Sequence, residues 1–129
     1  MAFRLTLKPH ERAVIAGAVI RNGKSRAVLL VENEVPILRE GDILSPREAH
    51  TPCDRLVVAI ELMYLEPERR ESVRVAYLEL LEALRVAAPS LAADLDVVNE
   101  HVTAGRYYQA LRAARHLRQD EQRIMKHVR

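Results

Sequence analysis

The chain has 129 residues, with 20 Lys and Arg against 18 Asp and Glu, and 49% of it is apolar. That is enough aliphatic surface for a packed core, which excludes wholesale disorder. Its one cysteine excludes an internal disulfide framework, and no apolar run approaches the roughly 20 residues needed to cross a bilayer. The N-terminus alternates apolar and charged residues where a secretory signal would be continuously hydrophobic, so the expectation is a soluble, cytoplasmic protein without a membrane partner.

The net charge of +2 conceals three parts. Residues 1–53 sum to +2, residues 54–105 to −5, and residues 106–129 to +5. An acidic middle beside a basic tail points to internal pairing, to a polyanionic partner, or to both.

The first third reads as β. Phe3, Leu5 and Leu7 alternate with Arg4, Thr6 and Lys8, the period of a strand with one buried face, and all three apolar residues are expected in the core. After a polar turn at Pro9–Arg12, the apolar run Ala13–Ile20 reads as a second strand. Asn22-Gly23 then supplies a hairpin turn, with Ser25–Val31 returning as the partner strand. Val35–Leu38 adds a short strand whose Pro36 favours a sheet edge.

From Ser45 the period becomes helical. Ser45-Pro46-Arg47-Glu48 and Thr51-Pro52-Cys53-Asp54 each place a hydroxyl cap, a first-turn proline and an acid three residues after the cap. Helical stripes follow: Leu56, Ile60 and Met63; Val73, Tyr77, Leu80, Leu81, Leu84 and Ala88; Leu91, Leu95, Val98 and Val102, stopped by Gly105. A last helix runs from about Arg106. The expected fold is α+β: an N-terminal four-strand antiparallel β meander followed by about four α-helices. Residues 1–50 form the β lobe and 51–129 the helical lobe, packed as one unit. A β lobe of this size is near the lower limit for independent folding, so a homodimer is a further expectation.

Few residues suit chemistry. Among the histidines only His50 lies near Cys53, and no second ligand pair exists for a structural zinc. No nucleophile motif surrounds Cys53, and the four glycines are too scattered for a phosphate-binding loop. The chain is expected to be a non-enzyme, with no metal and no cofactor.

The last helix stands apart. At 100° per residue, Tyr107, Leu111, Ala114, Leu117, Ile124, Met125 and Val128 share an apolar arc, while Arg112, Arg115, His116, Gln119, Arg123 and Lys126 share a basic one. Three readings of the basic arc stay open: a solvated face, pairing with the acidic middle, or a phosphate-binding stripe of guanidinium forks. Arg118 falls near the apolar arc, where it must snorkel or meet a carboxylate. The β lobe adds Arg4 and Lys8 on one face of the first strand, and Arg21, Lys24 and Arg26 around Asn22-Gly23. These nine cations, Arg4, Lys8, Arg21, Lys24, Arg26, Arg112, Arg115, Arg123 and Lys126, are the candidate RNA contacts. Stacking platforms are scarce, so recognition would rest on charge and polar edges.

The sequence resembles the FlbT flagellar regulators of alphaproteobacteria. The matching text is Leu5-Thr6-Leu7-Lys8-Pro9, Glu11-Arg12, Gly17-Ala18-Val19-Ile20, Asn22-Gly23, Leu30-Val31-Glu32-Asn33, Ile37-Leu38-Arg39-Glu40, Asp42-Ile43-Leu44, Thr51-Pro52, Met63-Tyr64-Leu65, and Gly105-Arg106-Tyr107-Tyr108-Gln109-Ala110-Leu111. The resemblance implies a post-transcriptional regulator that acts on the 5′ untranslated leader of flagellin mRNA. It would lower translation and stability of that mRNA during flagellum assembly, alongside FlaF-type proteins. The other reading is a protein adaptor binding flagellin or a FlaF-type partner, with the apolar arc of the last helix as its docking surface. A looser similarity, to the CsrA-type RNA-binding regulators, lies in Leu5-Thr6 before a turn containing Glu11, and in Val35–Glu40 before Ile43. It departs where His10 replaces the usual glycine.

Overall fold

The computed structural model describes residues 2–127, with side chains through Arg123. It is α+β, with antiparallel strands followed by four α-helices, and its contacts divide it into one unit ending at Ile43 and another beginning at Leu44.

In the first unit, β1 (Phe3–Leu7), β2 (Arg12–Ile15), β3 (Ala18–Arg21), β4 (Ala27–Val31) and β5 (Ile37–Arg39) make two sheets. One is a β1–β4 ribbon, and the other is ordered β3-β2-β5. Five strands replace the expected four because the apolar run Ala13–Ile20 folds back on itself. Ala16 and Gly17 adopt φ of 51° and 86°, the pair of positive angles that a two-residue hairpin requires. Asn22-Gly23 takes no positive φ. The Asn22 Nδ2 group instead donates to the carbonyls of Leu7 (3.2 Å), Lys8 (2.8 Å) and Ser25 (2.9 Å). Asn22 thus ties the connection after β3 to the end of β1, and β4 pairs with β1 rather than with β3.

Leu5, Leu7 and Ala13 form the small core, with Ile15, Leu29 and Ile37 packed against it. Phe3 is not in it: paired with Val31 at the far end of the ribbon, it stays 53% exposed. Arg39 Nη1 donates to the Thr6 carbonyl of β1 and lies 3.4 Å from both Glu11 carboxylate oxygens. Lys8 N–H donates to Glu11 Oε1 at 2.8 Å, and this bond, with the Arg39 charge, holds the Glu11 carboxyl below its ordinary value against slight desolvation.

Alanine in the left-handed region costs roughly 1–2 kcal/mol, a penalty that asparagine largely escapes. Ala16→Asn should therefore raise stability by about 0.5–1 kcal/mol, read as a higher urea midpoint. A lowered midpoint would mean that Ala16 is not the first residue of a hairpin turn.

In the second unit, Pro46–Glu48 makes only a 3-10 turn without a side-chain cap, while α1 (Pro52–Leu65) begins with the expected capping box. Thr51 Oγ1 accepts from Asp54 N–H at 3.0 Å, and Asp54 Oδ2 accepts from Thr51 N–H at 3.3 Å. A 3-10 turn at Pro67–Arg69 leads into α2 (Arg70–Ala87), and α3 (Ala92–Thr103) and α4 (Tyr107–His127) follow. Gly105, at φ 78°, ends α3 in a Schellman motif: Arg106 N–H donates to the His101 carbonyl and Gly105 N–H to that of Val102. α1 buries Cys53, Leu56, Val57, Ala59, Ile60 and Met63 along one face, with Asp54 and Glu61 buried at its edge. It lies between α2 and α4, with α3 against α4. Tyr107, Leu111, Ala114 and Leu117 of α4 are core residues, which removes that part of the apolar arc as a free docking surface. Ile124, Met125 and Val128 lie outside the described side chains. Among the described residues no helix is long and apolar enough to cross a membrane.

Candidate nucleic-acid interface

The N-terminal half of α4 separates two adjacent tyrosines. Tyr107 faces inward, with the Arg70 guanidinium 4.3 Å above its ring and Arg74 Nη2 donating to its hydroxyl at 3.0 Å. That anchoring sets the rotation of the helix. One residue and 100° further round, Tyr108 is 43% exposed, its ring 5.7 Å from that of Tyr64. Tyr108, Arg112, Arg115, His116 and Gln119 then line a shallow groove of about 190 Å³. An aromatic face, two guanidiniums, an imidazole and an amide meet there, the donor set that suits a phosphate beside an exposed base.

Buried carboxylates lie behind this stripe. Arg118, off the basic arc, donates from Nε to Asp54 Oδ1 at 2.5 Å, so of the two outcomes its position allowed, snorkelling or a carboxylate, it takes the carboxylate. Burial pushes the Asp54 carboxyl up, but bonds from His50 N–H, the Arg118 guanidinium and Thr51 N–H outweigh it and hold the group below its ordinary value. Glu61, 3% exposed, accepts the Leu44 N–H at 2.8 Å. Desolvation pushes it up to about 7, although that bond and the positive charges of Arg115 and Arg118 pull the other way. Burial likewise raises the Cys53 thiol to about 12, which leaves it a packed, unreactive side chain.

Of the predicted contacts, Arg112 and Arg115 meet in the groove. Arg123 is exposed further along α4, 3.9 Å from Asp120, and the Lys126 side chain lies outside the described residues. In the β unit, Arg4 projects from the outer face of β1 opposite Leu30, and Lys8 and Arg26 continue that face one residue beyond each strand. Arg21 sits across from Arg12 in the other sheet, its Nη1 3.5 Å from the His10 carbonyl, and Lys24 is exposed in the loop held by Asn22. An open depression of about 490 Å³, lined by Ile15, Ala16, Leu29–Asn33 and Val35, presents Glu32 and no cation, which makes it unsuited to a polyanion.

The family model described as flagellar protein FlbT matches residues 3–125. The chain belongs to the FlbT family. It is 38% identical over 125 residues to "Probable flagellum biosynthesis repressor protein FlbT 1" of Bradyrhizobium diazoefficiens, covering 96% of this chain and 85% of that protein. It is 34% identical over 130 residues to "Flagellum biosynthesis repressor protein FlbT" of Caulobacter vibrioides, covering 99% and 92%. No solved structure matches.

The text by which the chain resembles other FlbT proteins divides into two physical classes. Glu11, Asn22 and Arg39 are spent on hydrogen bonds that hold the β unit. In the Gly105–Leu111 stretch, Gly105, Tyr107, Ala110 and Leu111 end or anchor helices, whereas Tyr108 opens onto the groove. Sequence reasoning left Tyr108 out of the site. The signal was present, because 100° from Tyr107 falls inside the basic arc.

Proposed function

We propose that this FlbT-family chain is a post-transcriptional regulator of flagellum biosynthesis that binds the 5′ untranslated leader of flagellin mRNA and lowers its translation and stability. Relatives named flagellum biosynthesis repressors support the regulatory part. The observation that carries the RNA part is the α4 groove, where Tyr108 stands beside Arg112 and Arg115. In this reading the arginine forks take phosphate oxygens, the Tyr108 ring stacks on an unpaired base, and Gln119 and His116 offer polar edges. Arg123 extends the phosphate track along the helix.

The test is an electrophoretic shift with flagellin leader RNA and a scrambled RNA across salt. Binding should favour the leader, and log K should fall with log salt by about 0.7 per phosphate contact. Tyr108→Ala should cost about 1–3 kcal/mol. Arg112→Glu should weaken binding about tenfold and flatten the salt slope, with thermal unfolding unchanged because Arg112 is exposed. Absent retardation, or equal retardation of both RNAs, would overturn direct recognition in favour of the protein-adaptor reading.

A further inference from the structure

α2 carries an outward face that its packing leaves unused. Its inner positions Val73, Tyr77, Leu81 and Leu84 are buried, yet Val75, Leu78 and Val86 are 60%, 48% and 81% exposed. At 100° per residue these three fall on one arc with Glu71, Glu79 and Glu82. That arc holds no cation: Arg85, at its margin, turns to Asp96 at 2.6 Å and to Glu82 at 3.7 Å. Single exposed aliphatics are ordinary, whereas three in line among acids make a patch that water covers poorly.

The β1–β4 ribbon presents a counterpart of opposite sign. Its register places Arg4 opposite Leu30 and Thr6 opposite Val28 on the face turned away from Leu5 and Leu7. Lys8 and Arg26, one residue beyond the paired segment, continue the same alternation. Val28 and Leu30 are 48% and 67% exposed there, and the three cations outnumber the one acid that the same alternation adds, Glu32 one residue past Val31. From Arg4 to Lys8 the ribbon runs about 13 Å at 3.3 Å per residue. From Val75 to Val86 the helix face runs about 16 Å at 1.5 Å per residue. The two patches therefore match in length, both mix aliphatic and charged side chains, and their charges are complementary.

We propose that these faces dock on each other between two copies of the chain, the acidic α2 face of one copy on the basic ribbon of the other. A pair of copies related by a two-fold axis makes the contact twice and leaves neither patch uncovered. Val75, Leu78 and Val86 then lie on Val28 and Leu30, while Glu71, Glu79 and Glu82 face Arg4, Lys8 and Arg26. The footprints are small, which puts the assembly at the weak end of specific interfaces, with dissociation in the micromolar range. The inference goes beyond the RNA reading and assigns Arg4, Lys8 and Arg26 to protein rather than to RNA.

Sedimentation of nuclease-treated protein at roughly 100 µM, well above such a dissociation constant, tests it. Wild type should approach twice its 14.7 kDa monomer mass. Glu79→Lys/Glu82→Lys should sediment as a monomer, and so should Arg4→Glu/Arg26→Glu, since each leaves like charges facing. An equimolar mixture of the two variants restores opposite charges at both contacts and should recover the dimer mass, a result that misfolded variants would not give. A monomeric wild type, a dimer indifferent to either charge reversal, or a mixture that stays monomeric would overturn the proposal. None of these results depends on whether α4 binds RNA, because the groove residues are wild type throughout.

Discussion

Replacing Arg118 by methionine should destabilise the helical unit by roughly 2–4 kcal/mol near neutral pH, the cost of stranding one half of a buried ion pair. Asp54 is 4% exposed, and its two oxygens divide the work. Oδ2 accepts the His50 and Thr51 N–H groups at the start of α1, and Oδ1 accepts Arg118 Nε from α4. Losing the guanidinium leaves Oδ1 charged, desolvated and unpaired. The figure sits toward the low side because Arg118 keeps a third of its side chain in water, and because the two backbone donors remain. The folded-state pKa of Asp54 is depressed, so its contribution is present above the unfolded value and fades as pH falls through the folded one. The gap between variant and wild type should accordingly narrow in acid. Urea unfolding at pH 7 and near pH 3 checks both statements, and an Asp54→Asn/Arg118→Met cycle isolates the pair. A Met variant with an unchanged urea midpoint at pH 7 would show that Arg118 is held by its aliphatic stem alone.

Glu61→Gln should act in the opposite direction and at the other end of the pH scale. The wild-type carboxyl, raised from 4.5 to about 7, is protonated in the folded chain over a range where the unfolded chain has released the proton. Its contribution to stability is therefore complete below the unfolded value and is lost as pH rises to about 7. Beyond that the penalty levels off at about 3 kcal/mol. Glutamine keeps an oxygen for the Leu44 N–H and never ionises. The variant should match wild type near pH 4 and exceed it by up to about 3 kcal/mol at pH 8. Parallel stability–pH curves for the two proteins would show that Glu61 is ionised in the folded state at all of these pH values.

The helical half was legible because its signals are local. The Thr51…Asp54 capping box, the stop at Gly105 and the inward stripes of α2 and α3 each occupy one or two turns of chain. That Arg118 must snorkel or meet a carboxylate followed from its angle alone, and the carboxylate is Asp54. Glu61 was missed although its angle was readable: at 100° per residue it falls about 40° beyond Val57, at the edge of the arc that Leu56, Val57, Ala59, Ile60 and Met63 bury. The β half was misread where the decisive partners are distant. Asn22-Gly23 is the strongest local hairpin signal in the chain, yet the Asn22 amide is committed to carbonyls 14 and 15 residues earlier. The true turn falls on Ala16, a residue that seldom takes positive φ. In the candidate site, Arg112 and Arg115 were read from their helical stripe, while Tyr108 was set aside with the other helix-borne aromatics.

The exchange of partners in the β unit also bears on the order in which it assembles. β2 and β3 meet across a two-residue turn and can zip within microseconds, before anything else in the first 43 residues is organised. β1 and β4 must wait: Leu7 finds Ala27 only after the intervening stretch has closed into a loop, and the Asn22 latch engages only when both ends arrive. The ribbon is thus the late-forming, nonlocal part of the unit, held at one end by the Asn22 amide and by the His10 N–H bond to the Gly23 carbonyl.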